Sequence, residues 1–493
     1  MARFEKNTSS QGLFLSIQLE DQFDSESREH ILKEFIAEHV KIEDFEGEYN
    51  NDHTGRKIKN PQDVVAAILY GYITGNRSSR KIEELLKTHI GFMYVSNTLK
   101  IDHSIICDFK IKFKKQIKDI FSRMLFLMNE IGMIDWRMIV GDGTKIKAYA
   151  SKDQNIGKGF VDKLLVTYHR MADKIVERDI ELEQNFEKGI IDSKELEEEK
   201  KRIARQKRKY DRKIEKANKL LEDEEMKKRL EKERINMTDP DSTITPASSK
   251  IGYIQGYNAL LTVSNNDVVL DFDITTESEH LKTEGMVNNV EELKKEAGEE
   301  TKSKYLFDWG FQNIETTLRL EDKGLDMYVD VRGKDFSEKS DKRKYFRLIN
   351  EKGKYRLRCR NNLDAKGYWN ERLGRMAFLF KRRKCLGCPF MPECYKKIKE
   401  TTDTKTVLYY RFELGNWDRI EKYMKKFRGK EGQKIYGKRI GKEHVHANIK
   451  TQRNFQQTYY RRKEKVNMDL CWAVLAQNMS RYIAMTRNKE DKD

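Results

Sequence analysis

Two aspartates stand where the sequence pattern predicts that strands end. Asp142 lies in IVGDGTK and Asp308 lies in YLFDWGF, each after a short apolar run. Functional groups in α/β sheets gather at strand ends beside a switch point. An aspartate in such a place is also a common turn former, and Asp271, Asp273 and Asp330 occupy comparable positions. The two aspartates therefore predict an acidic catalytic site only together with a third group.

A third acidic residue lies in the stretch YGKRIGKEHVHANIK, whose polar residues are regularly spaced. Tyr436, Arg439, Glu443 and Lys450 follow one another at steps of three, four and seven residues. On an α-helix, at about 100° per residue, their side chains fall within roughly 60° of one another. One helix face would then carry an aromatic hydroxyl, a carboxylate and two cations. The alternative is a salt-bridged surface helix, and two glycines in the stretch disfavour any helix.

This spacing resembles a family signature. Bacterial insertion-sequence transposases of the DDE type carry the pattern Y-x2-R-x3-E-x6-K, and Tyr436, Arg439, Glu443 and Lys450 match it at every spacing. The resemblance implies that Asp142, Asp308 and Glu443 are the three catalytic acids.

Other segments resemble the same family over roughly residues 60–480. DGTKIKAYAS and DWGFQN resemble its two aspartate motifs, with Phe311 where Tyr is usual. IGYIQGYNALLTV resembles the intervening strand, with Leu260 where Gln is common. NPQDVVAAILYGYITGNRSSRKIEELL resembles the helical N-terminal domain of one subgroup. The resemblance implies an RNase H-like catalytic core.

The chemistry of DNA strand transfer needs what these acids can supply. Hydrolysing a phosphodiester and attacking another with the freed 3′-OH requires charge neutralisation and in-line positioning, which two divalent ions about 3.5–4 Å apart provide. Mg²⁺ (or Mn²⁺) takes oxygen ligands and keeps waters, so a few carboxylates suffice. We expect Asp142 to bridge both ions, and Asp308 and Glu443 to complete one sphere each. Arg439 and Lys450 would hold DNA phosphates, and Tyr436 would stack or hydrogen-bond near the cleaved end.

Three functions remain open at this point. The first is a DNA transposase acting on double-stranded transposon ends and target DNA, which the resemblance implies works as a homodimer on paired ends. The second is a related nuclease that cuts without strand transfer. The third is an element-derived DNA-binding protein, against which the presence of all three acids argues.

The charge of the chain favours a polyanionic partner. The 493 residues carry a net charge of +17, which indicates nucleic acid or an acidic membrane face. No apolar run reaches the length of about 18 residues that a membrane span needs, and the N-terminus lacks an apolar signal core. We therefore expect no membrane association and a bacterial cytoplasmic, nucleoid-associated protein.

Three cysteines crowd into CLGCPFMPEC, and a fourth lies upstream. Cys385, Cys388 and Cys394, with Cys359, could form a tetrahedral structural Zn²⁺ site. The alternative is four reduced thiols, because the gap between the last two is not a standard finger spacing. Six cysteines in a chain of this length are too few for a disulfide scaffold.

The elements that must position these residues are predicted from the periodicity. Strand and helix signals alternate after residue 137, which predicts an α/β fold with a mixed sheet. Residues 1–135 are predicted to form a helical N-terminal domain, and residues 136–159 with 237–332 the RNase H-like core. Residues 160–236 are predicted to be a helical-hairpin insertion, and residues 333–430 an insertion with the candidate zinc site. The C-terminal helices with the catalytic Glu are predicted in residues 431–493.

Within the first part, Asn60 and Pro61 predict the start of a helix. Arg77, Arg80 and Lys81 lie between short predicted helices, as in a helix-turn-helix DNA reader. The alternative is a plain helical subdomain with solvated charges. The basic segment of the predicted hairpin is likewise either a DNA-contacting arm or a solvated helix face.

Overall fold

The computed structural model describes most of the chain. The described residues are 19–49, 58–157, 159–247, 252–330, 345–351, 354–372, 374–394, 403–409 and 415–490. Among them, the α-helices α1 to α17 are Arg28–His39, Glu43–Glu46, Pro61–Ile73, Ser79–Thr88, Ile90–Val95, His103–Lys112, Lys114–Glu130, Phe160–Glu187, Ser193–Glu222, Glu224–Leu230, Thr283–Glu296, Ile314–Asp322, Met391–Cys394, Trp417–Arg428, Lys430–Gly437, Glu443–Thr451 and Lys463–Glu490.

Thirteen strands accompany these helices in the described residues. In chain order, β1 to β13 are Met138–Lys147, Asn155–Ile156, Ile235–Asn236, Thr243–Pro246, Tyr253–Ser264, Val269–Thr275, Lys304–Phe307, Asp326–Val329, Phe346–Glu351, Lys354–Cys359, Asp364–Asn370, Arg375–Lys381 and Thr404–Tyr409. Short 3₁₀ turns occur at Glu20–Gln22, Lys152–Gln154, Glu279–Leu281, Trp309–Phe311, Arg382–Lys384 and Lys438–Lys442.

The N-terminal region is helical, as the sequence predicts. Helix α3 begins where expected, with Pro61 in its first turn and the Asn60 side chain accepting a hydrogen bond from the Gln62 N–H (2.9 Å). Helix α3 is apolar on nearly all sides because it is buried between neighbouring helices, among them the long C-terminal helix α17. The N-terminal helices and the C-terminal helix therefore share one hydrophobic core.

The central sheet is mixed, which confirms the predicted α/β class. Its strands follow the order β4-β5-β1-β7-β8, with β6 also paired to β5. β1 runs antiparallel to β5 but parallel to β7, and β7 is parallel to β8. Both faces are covered: Met138 and Val140 pack in one apolar cluster, whereas Ile139 between them belongs to the main core. This explains why the first half of β1 is continuously apolar.

The segment after β1 forms a pair of long helices, α8 and α9. Lys200 of α9 pairs with Glu183 of α8 (2.6 Å), and Lys213 lies over the Tyr168 ring (5.0 Å), so the helices are antiparallel. Asp192 caps α9 by accepting hydrogen bonds from two backbone N–H groups at 2.8 Å.

A second sheet lies where the sequence predicted only a cysteine-containing insertion. Strands β9 to β13 form an antiparallel meander in the order β13-β12-β11-β10-β9. Its small core contains Leu357, Phe378 and Phe380. No helix in the described parts of the chain is long and apolar enough to span a bilayer.

Arg77 lies in the core rather than on a DNA-facing surface. Its guanidinium is fully buried and donates to Asp469 Oδ2 (2.8 Å) and to the carbonyls of Asn454 (2.5 Å) and Gln457 (3.1 Å). Burial leaves it no surface to offer a duplex, so we correct its predicted role from DNA contact to an internal tie between the two ends of the chain. Its predicted companion Arg80 is exposed.

Removing Arg77 should therefore destabilise the fold. An Arg77→Ala variant leaves the buried Asp469 carboxylate without its ion-pair partner, with only the Tyr72 hydroxyl still donating to it. Removing one partner of a buried ion pair typically costs about 3–5 kcal/mol. Urea unfolding would measure this loss, with Arg80→Ala as the matched control, expected to change stability by less than about 0.5 kcal/mol. Equal midpoints for the two variants would contradict the assignment.

Candidate active site

Three aspartates stand side by side at one end of the parallel strands. The register pairs Gly141 of β1 with Phe307 of β7, and Phe307 with Val329 of β8. Asp142, Asp308 and Asp330 are the next residues in the chain, so the sheet places them in a row. Asp142 and Asp308, the two aspartates that the sequence singled out, are neighbours in this row because β1 pairs with β7. The predicted strand end at Asp142 is wrong, because β1 continues to Lys147 beside its antiparallel partner β5, and only its parallel pairing with β7 ends at Gly141.

Asp142 sits in an environment that disfavours its charge. Burial raises the pKa of Asp142 to about 6, although the Gly143 N–H, which donates to Oδ1 (2.8 Å), and the Arg439 charge both oppose the rise. The negative charges of Asp308 and Glu279 raise the pKa further. A buried carboxylate whose charge is disfavoured in this way is a group whose charge a bound cation would stabilise.

Arg439 and Tyr436 face this acidic row. Arg439 Nη1 lies 3.5 Å from Asp142 Oδ2, and its guanidinium lies 5.7 Å from the centre of the Tyr436 ring. Burial opposes the charge on Arg439, but Tyr436, Asp142 and Asp308 outweigh burial and raise its pKa. Burial raises the pKa of the Tyr436 hydroxyl to about 12. The structure therefore brings two members of the predicted helix face to the aspartates.

Glu443 does not lie beside the aspartates with Arg439 and Tyr436. The predicted single helix is interrupted by the five-residue 3₁₀ turn Lys438–Lys442, and Glu443 is exposed at the start of α16. A 3₁₀ helix turns about 120° per residue instead of 100°, so the interruption rotates Glu443 by roughly 100° from its expected direction. Gly437 and Gly441 were the sequence signal for this break. Within the described residues, no three His, Cys, Asp or Glu side chains form a group placed to hold a metal.

Sequence reasoning missed a fourth carboxylate, that of Glu279. It lies in the 3₁₀ turn Glu279–Leu281, and its Oε1 accepts from Asn258 Nδ2 (2.6 Å) and Lys145 Nζ (3.1 Å). The carboxylate lies against two glycines that closely follow Asp142 and Asp308 in the chain. A Cβ at Gly143 would lie 2.8 Å from Oε1, and one at Gly310 would overlap Oε2. The glycines in DGTK and DWGF are the features of the sequence that could have indicated this contact.

The remaining predicted DNA-binding residues lie in two places. Lys450 is half-buried and lines a groove with Gly143 and Lys145, beside Asp142. Burial lowers the pKa of Lys450, and the nearby Lys145 charge lowers it further. Arg80 and Lys81 are exposed on α4, where Lys81 pairs with Glu84 (2.7 Å).

The four predicted zinc ligands surround one cavity in the second sheet region. It is lined by Cys359, Cys385, Cys388 and Cys394, together with aromatic residues and Lys405. None of the four is part of a disulfide, and Lys405 Nζ lies 3.2 Å from Cys394 Sγ. Side chains from two distant segments are thus brought together, although the described atoms do not form a ready coordination shell.

The mixed sheet thus carries adjacent aspartates at the end of its parallel strands, faced by an arginine. A family model for a transposase DDE domain matches residues 356–483, and a model for a transposase domain (DUF772) matches residues 17–112. Each match covers less than half of the chain, and together they indicate an insertion-sequence DDE transposase. No curated protein and no solved structure matches it.

The two matches differ in what they cover. The DDE-domain match contains Arg439, Glu443 and Lys450 but begins after Asp142 and Asp308. The domain it describes implies an enzyme of the nuclease and transferase kind, in a family that generally uses divalent metals. The roles of the two aspartates therefore rest on the geometry of the sheet.

Proposed function

We propose that this transposase cleaves DNA strands at the ends of its insertion sequence and joins the freed ends to target DNA. The observation that carries the proposal is the adjacency of Asp142 and Asp308 on parallel strands, with Arg439 facing both. Asp142 carries a raised pKa because of burial and because Asp308 and Glu279 are close. A divalent cation bound at this site would stabilise the ionised carboxylates by supplying positive charge.

The donor set fits a hard divalent ion. Carboxylate oxygens are the ligands that Mg²⁺ or Mn²⁺ prefer, and Asp142 and Asp308 would hold two such ions per site. When bound, these ions neutralise the reacting phosphate and activate the attacking oxygen. Glu443 would supply the third carboxylate once the segment Lys438–Lys442 adopts α-helical winding, which would turn Glu443 back by roughly 100°.

The cations of the signature would position the DNA. Arg439 already lies against the acidic row, and its planar guanidinium can hold a phosphate next to the scissile bond. Lys450, which lines a groove with Gly143 and Lys145, would hold a second phosphate. Tyr436, packed edge-on against Phe427 (5.1 Å), would hydrogen-bond or stack at the cleaved end.

The sheet supports an RNase H-like core, a fold that the family resemblance implies. In the order β6-β5-β1-β7-β8, the first three strands are antiparallel and the last three are parallel. In the proposed division of labour, the helical N-terminal domain binds double-stranded DNA through exposed cations such as Arg80 and Lys81, and a homodimer holds the paired ends.

Strand transfer separates this function from that of a simple nuclease. Duplexes taken from the DNA flanking the coding region, incubated with the protein, Mg²⁺ and a supercoiled target plasmid, should yield joined products. End cleavage without joined products would favour the alternative, a metal-dependent nuclease. Binding without cleavage under any divalent metal would favour the element-derived DNA-binding protein and reject the proposal.

The cysteine cavity is proposed as a structural zinc site. Cys359, Cys385, Cys388 and Cys394 already surround one space, and loss of protons from the thiols would let them close on the ion. Purified under reducing conditions, the protein should contain about one zinc per chain. Cys385→Ser should lose that zinc and make the region of β9 to β13 sensitive to proteolysis.

Cys107→Ser is the control for the zinc experiment. Cys107 lies in helix α6, outside the cavity, with its Sγ 3.7 Å from the Tyr460 hydroxyl. This variant should keep the zinc. Elemental analysis that finds no zinc in the wild-type protein would reject the site.

A further inference from the structure

A groove leads away from the candidate active site along the second half of β1. Two adjoining depressions, which share Lys147, run from Gly143 beside Asp142 to the surface around Tyr149. We call this feature the β1 groove and define it by Lys145, Lys147, Tyr149, Lys450, Tyr459 and Arg461. One end of the β1 groove therefore lies next to the acidic row.

The β1 groove gathers positive charges with few counter-charges. Lys147 and Lys450 form no ion pair with any described residue, and Lys145 pairs with Glu279. Burial and then the Lys145 charge lower the pKa of Lys450, so the cations repel one another. The acid at the outer end, Asp153, hydrogen-bonds with Ser151 (3.2 Å). Cations crowded in this way are stabilised when phosphates lie between them.

Two tyrosine rings in the β1 groove are held in place by arginines. Tyr459 is 46% exposed, and the buried Arg77 guanidinium lies 4.4 Å from its ring centre. Tyr149 is 54% exposed, and Arg461 lies 5.3 Å from its ring centre. Because Arg77 is fixed by Asp469, the Tyr459 ring is set before any ligand arrives. A half-exposed ring held by a cation is a platform on which a nucleobase can stack.

The combination of cations and ring platforms discriminates between duplex and single strand. In a duplex, both faces of each base are covered by its neighbours, and a protein reaches only base edges in the grooves. An unpaired strand offers phosphates to cations and base faces to aromatic rings at the same time. The two tyrosines would have no stacking partner in a paired substrate.

We propose that the β1 groove binds an unpaired stretch of DNA strand next to the cleavage point, with phosphates on Lys147 and Lys450 and bases on Tyr459 and Tyr149. The site rests on the proposed function, because it names the form of DNA that the active site handles. Strand separation near the cleaved end would follow from the capture of these bases.

Binding of a fluorescent oligothymidylate and of a matched duplex, measured by anisotropy in EDTA, tests this site without any cleavage. Tyr149→Leu and Tyr459→Leu should each weaken single-strand binding by about fivefold or more, which is the lower range for loss of one stacked base. Duplex binding should change by less than about twofold, on the argument that paired bases do not stack on the rings. Tyr149→Phe should bind like the wild type, since the ring remains.

Two further measurements complete the test. Lys147→Gln should reduce the salt dependence of single-strand binding by about 0.7 in the log–log slope, whereas the leucine variants should leave the slope unchanged. Tyr368→Leu, an equally exposed tyrosine on β11, is the matched control and should have no effect. Undiminished single-strand binding by both leucine variants, or an equal loss of duplex binding, would overturn the proposal. An Asp142→Asn variant that cannot cleave should still bind, so a failure of catalysis is distinguishable.

Discussion

Asp142→Asn and Asp308→Asn should each reduce DNA cleavage by roughly a thousandfold or more, while duplex affinity stays within about twofold of wild type. The amide keeps the shape of the side chain but removes the charge that would hold a divalent ion beside the scissile phosphate. Cleavage of labelled end duplexes in Mg²⁺ measures the first effect, and anisotropy in EDTA measures the second. Wild-type cleavage by either variant would reject the acidic row as the active site.

The Asp142→Asn substitution should not destabilise the protein. The folded state raises the pKa of Asp142 from 3.8 to about 6, so the folded protein binds this proton more tightly than the unfolded chain does. The stability of the wild type therefore falls as pH rises from about 4 through 6. The amide of Asp142→Asn does not titrate, so this variant does not lose stability over that pH range. In EDTA at pH 8, its melting temperature should equal or exceed that of wild type.

Asp271 provides a matched control for the acidic row. It lies on β6, burial raises its pKa to about 6, and its carboxylate accepts a hydrogen bond from Asn289 (3.0 Å). Asp271→Asn therefore removes another acid of similar pKa away from the ends of the parallel strands. Cleavage by this variant should match that of wild type. If Asp271→Asn abolished cleavage and Asp142→Asn did not, the site would lie at β6 instead.

The parts of the structure that the sequence predicted are those governed by local signals. The side chain of Asn60 caps α3 and Pro61 occupies its first turn, so these two residues determine where the helix starts. The apolar runs before Asp142 and Asp308 indicate buried strands. The alternation of strands and helices then predicts a mixed sheet. Each of these inferences needs only neighbouring residues, or the few known ways in which such elements pack.

The parts that could not be predicted depend on residues far apart in the chain. Arg77 looked like a DNA contact because nothing near it in sequence shows that Asp469 neutralises it. Glu279 gave no motif because its partners, Lys145 and Asn258, belong to other strands. The second sheet could not be predicted because its strands are only six or seven residues long, so each gives a weak periodic signal.

Glu443→Gln and Glu279→Gln together should identify the third carboxylate of the site. On the proposed mechanism, Glu443→Gln loses roughly a thousandfold in cleavage, because a ligand to the ion is removed. Glu279→Gln loses roughly 10- to 100-fold, the range for residues that orient a ligand shell. Glu279 holds Lys145 and Asn258 and packs against the glycines that follow both aspartates, so it acts as a positioning residue.

Metal dependence separates the two roles. Raising Mg²⁺ should restore much of the cleavage by Glu279→Gln, since the direct ligands remain, but little of that by Glu443→Gln. Glu431→Gln, an exposed glutamate on α15, is the control and should cleave normally.

The glycine contacts give an independent check on Glu279. Gly310→Ala places a methyl group where Glu279 Oε2 lies, so this variant should lose cleavage on its own. Its effect should be smaller when it is combined with Glu279→Ala, because the clash is then removed. A reversed outcome in the glutamine pair, with Glu443→Gln active and Glu279→Gln inactive at every metal concentration, would make Glu279 the third ligand. The exposed position of Glu443 would then be its working position, and the winding of Lys438–Lys442 would not need to change.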